Sequence, residues 1–320
     1  MCCQYWTRSL LAFIAVLVPI TSAKRPGRLN TLVTFGDSYT DVILAGDNGT
    51  SWPIYAASYA DAKLFSFARA GATCSQDLTP RQFPAVFQSQ IPAYLADVAN
   101  GTIRVPPQDT LYTLWIGTND VGPNTLLTGF EVVNNATIVD TTECAVSWIS
   151  TLYNSGARNF LIQNMIPLER LPIYAPNAYF TKYWTTSRNA TEWHLFVSEL
   201  VAAGNALSKL MLPNLAARLA GAHVGLFDSH GLFTDILDHP QNFLNGTAPF
   251  NTTAPIFACM FRENESTSDP GNCTVIEGTD RDSYVWYDEL HPSEQSDRIV
   301  AREIAKVLNG TGSKYATWFS

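Results

Sequence analysis

Five short apolar runs, at 32–35, 64–67, 110–116, 159–166 and 223–227, recur along the chain, each ended by Gly, Asp, Asn or Pro. Runs this short, without polar alternation, fit strands buried on both faces. Between or after them lie longer amphipathic stretches at 84–99, 141–153 and 191–219. In the longest, Trp193, Phe196, Leu200, Leu207, Leu210 and Met211 fall near one helical face. A last helix opens at Ser293, suited to an N-cap, with Glu294 in its first turn and Ile299, Val300, Ile304 and Val307 following. Such alternation implies an α/β fold: a five-stranded parallel sheet with helices on both faces. The stretch 242–282, rich in Asn, Thr, Pro and Gly, breaks the rhythm and reads as a surface excursion rather than a second domain.

Residues 1–23 stand apart. Arg8 precedes an apolar stretch at 10–20, and Thr21, Ser22 and Ala23 suit a signal peptidase, so 1–23 reads as a secretory signal peptide and 24–320 as a single exported domain. That stretch is too short to span a membrane, and no later one is read as long and apolar enough. The 46% apolar content suits one large core. Losing the signal removes one cation, Arg8, and no acid, which takes the net charge from −8 to −9. That balance disfavours nucleic acid and anionic membrane as partners.

Cysteine usage agrees with export. Cys2 and Cys3 leave with the signal, and Cys74, Cys144, Cys259 and Cys273 remain. Closing the loop between Cys259 and Cys273 is worth roughly 3 kcal/mol, which favours that pair and, by elimination, Cys74 with Cys144. There is no CxxC or HExxH spacing, so neither a zinc site nor another cofactor is expected. Nine Asn-x-Ser/Thr sequons, at Asn48, Asn100, Asn135, Asn189, Asn245, Asn251, Asn264, Asn272 and Asn309, point to surface N-glycans.

The run at 32–35 stops on Gly36, Asp37 and Ser38. Ligand crevices of open parallel sheets lie at the carboxyl ends of the strands, so a tight turn at Gly36 would deliver the Ser38 hydroxyl there as a nucleophile. Gly-Asp-Ser is also ordinary turn chemistry and occurs by chance in about one chain in ten of this length. A serine needs a base. His194 lies inside a helical stretch, His223 opens a strand, and His230 and His239 lie in following loops, all suited to structural or solvated roles. His291 instead precedes the last helix, with Asp288 three residues earlier, so the carboxylate is placed to hold one ring nitrogen while the other faces Ser38. For the oxyanion, the second run leads to Gly71 with its backbone N–H, and the third to Asn119 with its side-chain amide. Each piece is weak alone, but all fall where one crevice collects them.

At these residues the chain resembles the GDSL, or SGNH, hydrolases. Gly36-Asp37-Ser38 with Asp41 is similar to the first block of that family, Gly71 to the second-block glycine, Gly117-Thr118-Asn119-Asp120 to the third block and Asp288-x-x-His291 to the fifth. The resemblance implies a three-layer α/β/α sandwich of flavodoxin-like type and a Ser38, His291, Asp288 triad. It also implies an oxyanion hole from the Ser38 and Gly71 N–H groups and the Asn119 side chain, with Asp41 shaping the first loop. The signal peptide, the sequons, Ala70-Gly71-Ala72-Thr73-Cys74 and the stretch from Trp115 to Asp120 look like fungal carbohydrate esterase family 16. Members of that family release acetyl groups from hemicellulose-derived oligosaccharides. The chain departs from its pattern at Ala70, where glycine is usual, and at His239-Pro240-Gln241-Asn242-Phe243.

The expected protein is therefore a secreted serine esterase acting on acetylated xylo-oligosaccharides or other small acyl esters. Trp52, Tyr55 and Trp115 are of a type that stacks on sugar faces, although aromatics at strand ends are more often core. Two other readings are a GDSL lipase or phospholipid acyl-hydrolase and, from another class, a non-catalytic secreted carbohydrate-binding protein.

Overall fold

The computed structural model describes residues 25–271 and 273–319; the assigned signal peptide lies outside them. The five expected strands form as β1 (Thr31–Gly36), β2 (Lys63–Ser66), β3 (Thr110–Trp115), β4 (Asn159–Gln163) and β5 (His223–Phe227). They run parallel in the order 2-1-3-4-5, the flavodoxin-like arrangement. The sheet is three-layered because alternate side chains of each strand feed opposite cores. Leu32, Leu111 and Leu161 pack with α1 (Trp52–Ala60), α5 (Ser229–Asp238) and α6 (Glu294–Leu308). Val33, Phe35, Tyr112, Leu114, Phe160 and Ile162 pack with α2 (Ile91–Ala99) and α3 (Ile138–Asn154). Sequence reasoning missed α1 and α5. Both are short, and α1 is apolar nearly all round, so neither offers a long periodic signal.

The segment 242–282 is not featureless. It carries β6 (Asn251–Pro255), which pairs with β9 (Tyr284–Trp286), and a hairpin of β7 (Phe257–Cys259) and β8 (Cys273–Val275) closed by the Cys259–Cys273 disulfide. The second disulfide joins Cys74 to Cys144 on α3. The central sheet also has a sixth strand, which corrects the five-stranded expectation: β10 (Ala316–Trp318) returns antiparallel along β5. Three residues give no readable alternation, and tertiary packing specifies this strand. The Trp318 ring sits over Gly225, where a Cβ would come within 2.9 Å of it.

Helix α4 (Ala190–Ala216) departs from two expectations. By length and composition it is apolar enough to cross a membrane. Its buried residues nevertheless form one stripe, Trp193, Val197, Val201, Gly204, Ser208, Leu212 and Ala216, at helical spacing. The expected face is right only in part: Trp193 is buried and Leu200 and Met211 pack on the cores, but Phe196 and Leu210 are exposed. Close approach explains the difference: a Cβ on Gly204 would lie 2.7 Å from Met165 Cε, so a small residue marks the contact line.

Candidate active site

The turn after β1 needs glycine. Gly36 adopts φ 148°, and a Cβ there would lie 2.3 Å from the Trp115 carbonyl oxygen. The buried Gln90 side chain brackets the same residue, accepting from Gly36 N at 3.0 Å and donating to Gly36 O at 2.8 Å. Gln90 ends a π-helical turn, Val86–Gln90, a local distortion often found at functional sites. The chain then delivers half-buried Ser38 to the carboxyl edge of the sheet.

His291 comes from the loop between β9 and α6, whose N-cap is Ser293. Its Nε2 lies 2.8 Å from Ser38 Oγ, and its Nδ1 lies 2.9 Å from Asp288 Oδ1. The same carboxylate oxygen accepts the Leu290 and His291 backbone N–H groups, each at 2.9 Å, so the three-residue spacing folds as a closed turn. Burial by itself raises the Asp288 carboxyl, but the His291 ring, Lys182 and Tyr183 outweigh it and hold the group well below the usual carboxylate range. An ionised carboxylate only accepts, so Nδ1 carries the proton and Nε2 presents its lone pair to the Ser38 hydroxyl.

Three carboxyl and amide groups tie the surrounding loops together. Asp41 accepts from Ile43 N at 2.8 Å and from Ala70 N at 2.8 Å, joining the serine loop to the loop of Gly71. Asp120 accepts from Cys74 N at 3.1 Å and Thr79 Oγ1 at 2.7 Å. Asn119 Nδ2 donates to Ala72 O at 2.9 Å, and its Oδ1 accepts from Arg81 Nη1 at 2.6 Å, which fixes the amide orientation and leaves a second N–H free to donate. Among the described residues, no protein acceptor is recorded for the Ser38 or Gly71 backbone N–H.

Sequence reasoning missed several residues of this site. Tyr39 places its ring edge-on to Trp115 and to the His291 ring and donates to Leu290 O at 2.8 Å, bracing the histidine loop from the serine side. Tyr183 donates to Asp288 Oδ2 at 2.6 Å, and Lys182 Nζ lies 2.9 Å from the same oxygen. Both lie in the long connection between β4 and α4, where periodicity gives no signal. The aromatics singled out for sugar stacking belong elsewhere. Trp52 and Trp115 are 0% and 2% exposed, filling the core beneath the turn, while the Tyr55 hydroxyl bonds Glu294 between α1 and α6. The most exposed aromatic among the described residues is Phe130, whose ring lies 6.4 Å from Trp184. Beside it an open groove of about 400 Å³ is lined by Arg81, Phe130, Glu131 and Val133. Among the described residues, no three His, Cys, Asp or Glu side chains cluster as metal ligands would.

A family model for GDSL-like lipases and acylhydrolases matches residues 32–304. The chain belongs to that family. An acetylesterase of Hypocrea jecorina is 29% identical over 98% of this chain and 99% of its own length. An acetylesterase of Thermothelomyces thermophilus is 22% identical over 88% of each chain. Among solved structures, a catalytic mutant of an acetylxylan esterase from Geobacillus stearothermophilus covers 89% of this chain and 96% of its own, at 12% identity and a TM-score of 0.45. This GDSL hydrolase is an ester hydrolase by class.

One substitution probes the fit of its histidine. A Cβ on Gly46 would lie 2.2 Å from His291 Cδ2, so Gly46→Ala must displace the imidazole or the loop that covers it. A misplacement on the order of 1 Å costs about 10²-fold in rate. We expect Gly46→Ala to lower kcat by roughly that factor while Tm changes little; kinetics and a thermal melt on one preparation check both, and unaltered kcat would show that the ring has slack.

Proposed function

We propose that this GDSL hydrolase is an exported serine acetylesterase, with Ser38 as nucleophile, His291 as general base and Asp288 as its orienting acid. The supporting observation is the pair of contacts on one ring, 2.8 Å from Nε2 to Ser38 Oγ and 2.9 Å from Nδ1 to Asp288 Oδ1. In this reading His291 takes the Ser38 proton as Oγ attacks the acyl carbon. The Ser38 and Gly71 N–H groups and the free Asn119 amide hydrogen bind the anionic oxygen; losing one such donor costs about 10²- to 10³-fold in comparable sites. His291 then protonates the departing alkoxide. Water, deprotonated by the same ring, attacks the acyl-Ser38; the acyl C–Oγ bond breaks, His291 returns the proton to Ser38 Oγ, and the carboxylic acid leaves.

For the substrate we propose acetylated hemicellulose-derived oligosaccharides. The two acetylesterase relatives favour a short acyl group, and the groove lined by Arg81, which bonds Asn119, with Phe130 exposed on its wall, suits a sugar ring. Export and glycosylation fit the exposed sequons Asn48, Asn100, Asn135, Asn189, Asn245, Asn264 and Asn309. Asn251 is half-buried, with its Oδ1 accepting from Thr253 and Ala254, and Asn272 lies outside the described residues.

One observation favours a longer acyl chain: Ile43 and Leu44 are 68% and 66% exposed apolar residues on the loop leading to Gly46, which packs on His291. Rates on p-nitrophenyl acetate, octanoate and palmitate, beside acetylated xylo- and manno-oligosaccharides, separate the readings. The proposal expects kcat/KM to fall at least about tenfold from acetate to octanoate, the scale of discrimination that chain length sets in a pocket. A maximum at palmitate would favour the lipase. Failure of Ser38 to react with a fluorophosphonate would leave the non-catalytic carbohydrate-binding reading in place.

A further inference from the structure

Asp288 Oδ1 faces the histidine, while its other oxygen faces a strap at 181–184. Here the chain doubles back, with Thr181 and Trp184 exchanging backbone hydrogen bonds at 3.1 and 3.0 Å. The strap is anchored at both ends. Phe261 N donates to Phe180 O at 3.0 Å, and the Trp184 ring lies 5.1 Å from that of Trp193 on α4. So fixed, it aims Lys182 and Tyr183 at Asp288 Oδ2, while the Tyr183 oxygen also lies 3.0 Å from His291 Nδ1. The phenol is pushed far above its ordinary range by burial and by Asp288, so it remains a neutral donor.

We propose that Lys182 is a positioning residue that sets the acid limit of the esterase by sharing the Asp288 carboxylate that holds His291. This rests on the reading of Ser38, His291 and Asp288 given above. The ionisable groups that face the pair are Asp37 and Tyr39 from the serine loop, Asp47 from the loop over the imidazole, and Tyr287 and Glu289 beside Asp288. Tyr179 joins them from the strap side, with its hydroxyl 2.6 Å from Glu289. The phenols and the protonated Asp37 carry no charge, and the cations Arg81 and Arg281 act on Asp37 and Tyr287, so Lys182 is the cation in contact with the Asp288 carboxylate itself. A bare carboxylate would hold a proton on the imidazole more tightly, and a protonated imidazole cannot accept from Ser38.

The test is the pH dependence of kcat/KM on p-nitrophenyl acetate for the wild type, Lys182→Met, Lys182→Gln and Lys182→Arg. The lysine side chain is 39% exposed, so solvent screens it. Both neutral variants are expected to move the acid limb to higher pH by about one unit, a roughly tenfold greater loss of rate below the limb than above it. Lys182→Arg, which keeps the charge, is expected to leave the limb where the wild type has it. An unmoved limb, a shift to lower pH, or an equal loss at every pH in the neutral variants overturns the proposal. If Ser38→Ala still turns over, the reading of the site fails instead, and the two failures are told apart.

Discussion

Ser38→Ala and His291→Ala are each expected to lower kcat on p-nitrophenyl acetate by about 10⁴-fold or more, and the double variant by little beyond either alone. On the proposed reading the 2.8 Å contact between Nε2 and Oγ makes the two side chains one device: without the hydroxyl the ring has nothing to deprotonate, and without the ring the hydroxyl is a poor nucleophile at neutral pH. What survives is binding and oxyanion stabilisation by groups that neither change touches. Removing both side chains together therefore resembles removing one. Multiplying losses, giving on the order of 10⁸, would mean that serine and histidine act in separate steps.

Stability is expected to peak in mildly acidic solution, at about pH 4 to 5, and Asp37→Asn to remove much of the decline above it. Asp37 is buried, and burial pushes its carboxyl up to about 7, although Tyr39 N donates to it at 3.0 Å and the His291 ring lies near. Its second oxygen, Oδ2, has no hydrogen-bond partner. With its folded value above the unfolded 3.8, the native state keeps a proton that the unfolded chain has already released, so stability falls as pH rises from about 4 to about 7. At about 1.4 kcal/mol per unit, that window is worth up to about 4 kcal/mol. Asp120, pushed up to about 6 by burial, acts in the same direction, as do Asp47 and Asp297. Asp288 acts oppositely: with its folded value depressed, its contribution is present above 3.8 and is lost as pH falls further. Asparagine keeps the shape of Asp37 and the acceptor for Tyr39 N without the ionisation. Urea melts across this range should find Asp37→Asn at or below wild type near pH 5 and about 2 to 4 kcal/mol above it near pH 8. Parallel decline of the two proteins would place the titration elsewhere.

The parts of this molecule legible in the sequence are those whose signal is local. Four strands, β1, β3, β4 and β5, appear as apolar runs because both of their faces are covered, the half-buried edge strand β2 keeps a shorter one, and Asp288 precedes His291 by three residues because one turn joins them. What stayed hidden depends on contacts between distant segments. Lys182 and Tyr183 reach Asp288 from a connection without periodicity, so nothing in their neighbourhood marks them. The buried face of α4 was only partly read, because Gly204 and Ser208, small enough to let α4 approach its neighbours, lie on the packed stripe while Phe196 and Leu210 are left outside. Trp52 and Trp115 stayed open between core and sugar rim for the opposite reason: a large ring is compatible with either place, and only the covering serine turn decides for the core.

The loop that presents Gly71 continues directly into Cys74, which is bonded to Cys144 on α3. A chain held in a reducing compartment would lack that tie, leaving the loop to the hydrogen bonds of Asp41, Asn119 and Asp120. On the proposed reading, with export and Gly71 as an oxyanion donor, the covalent tie of that loop forms in an oxidising lumen, and the braced form is the one that leaves the cell.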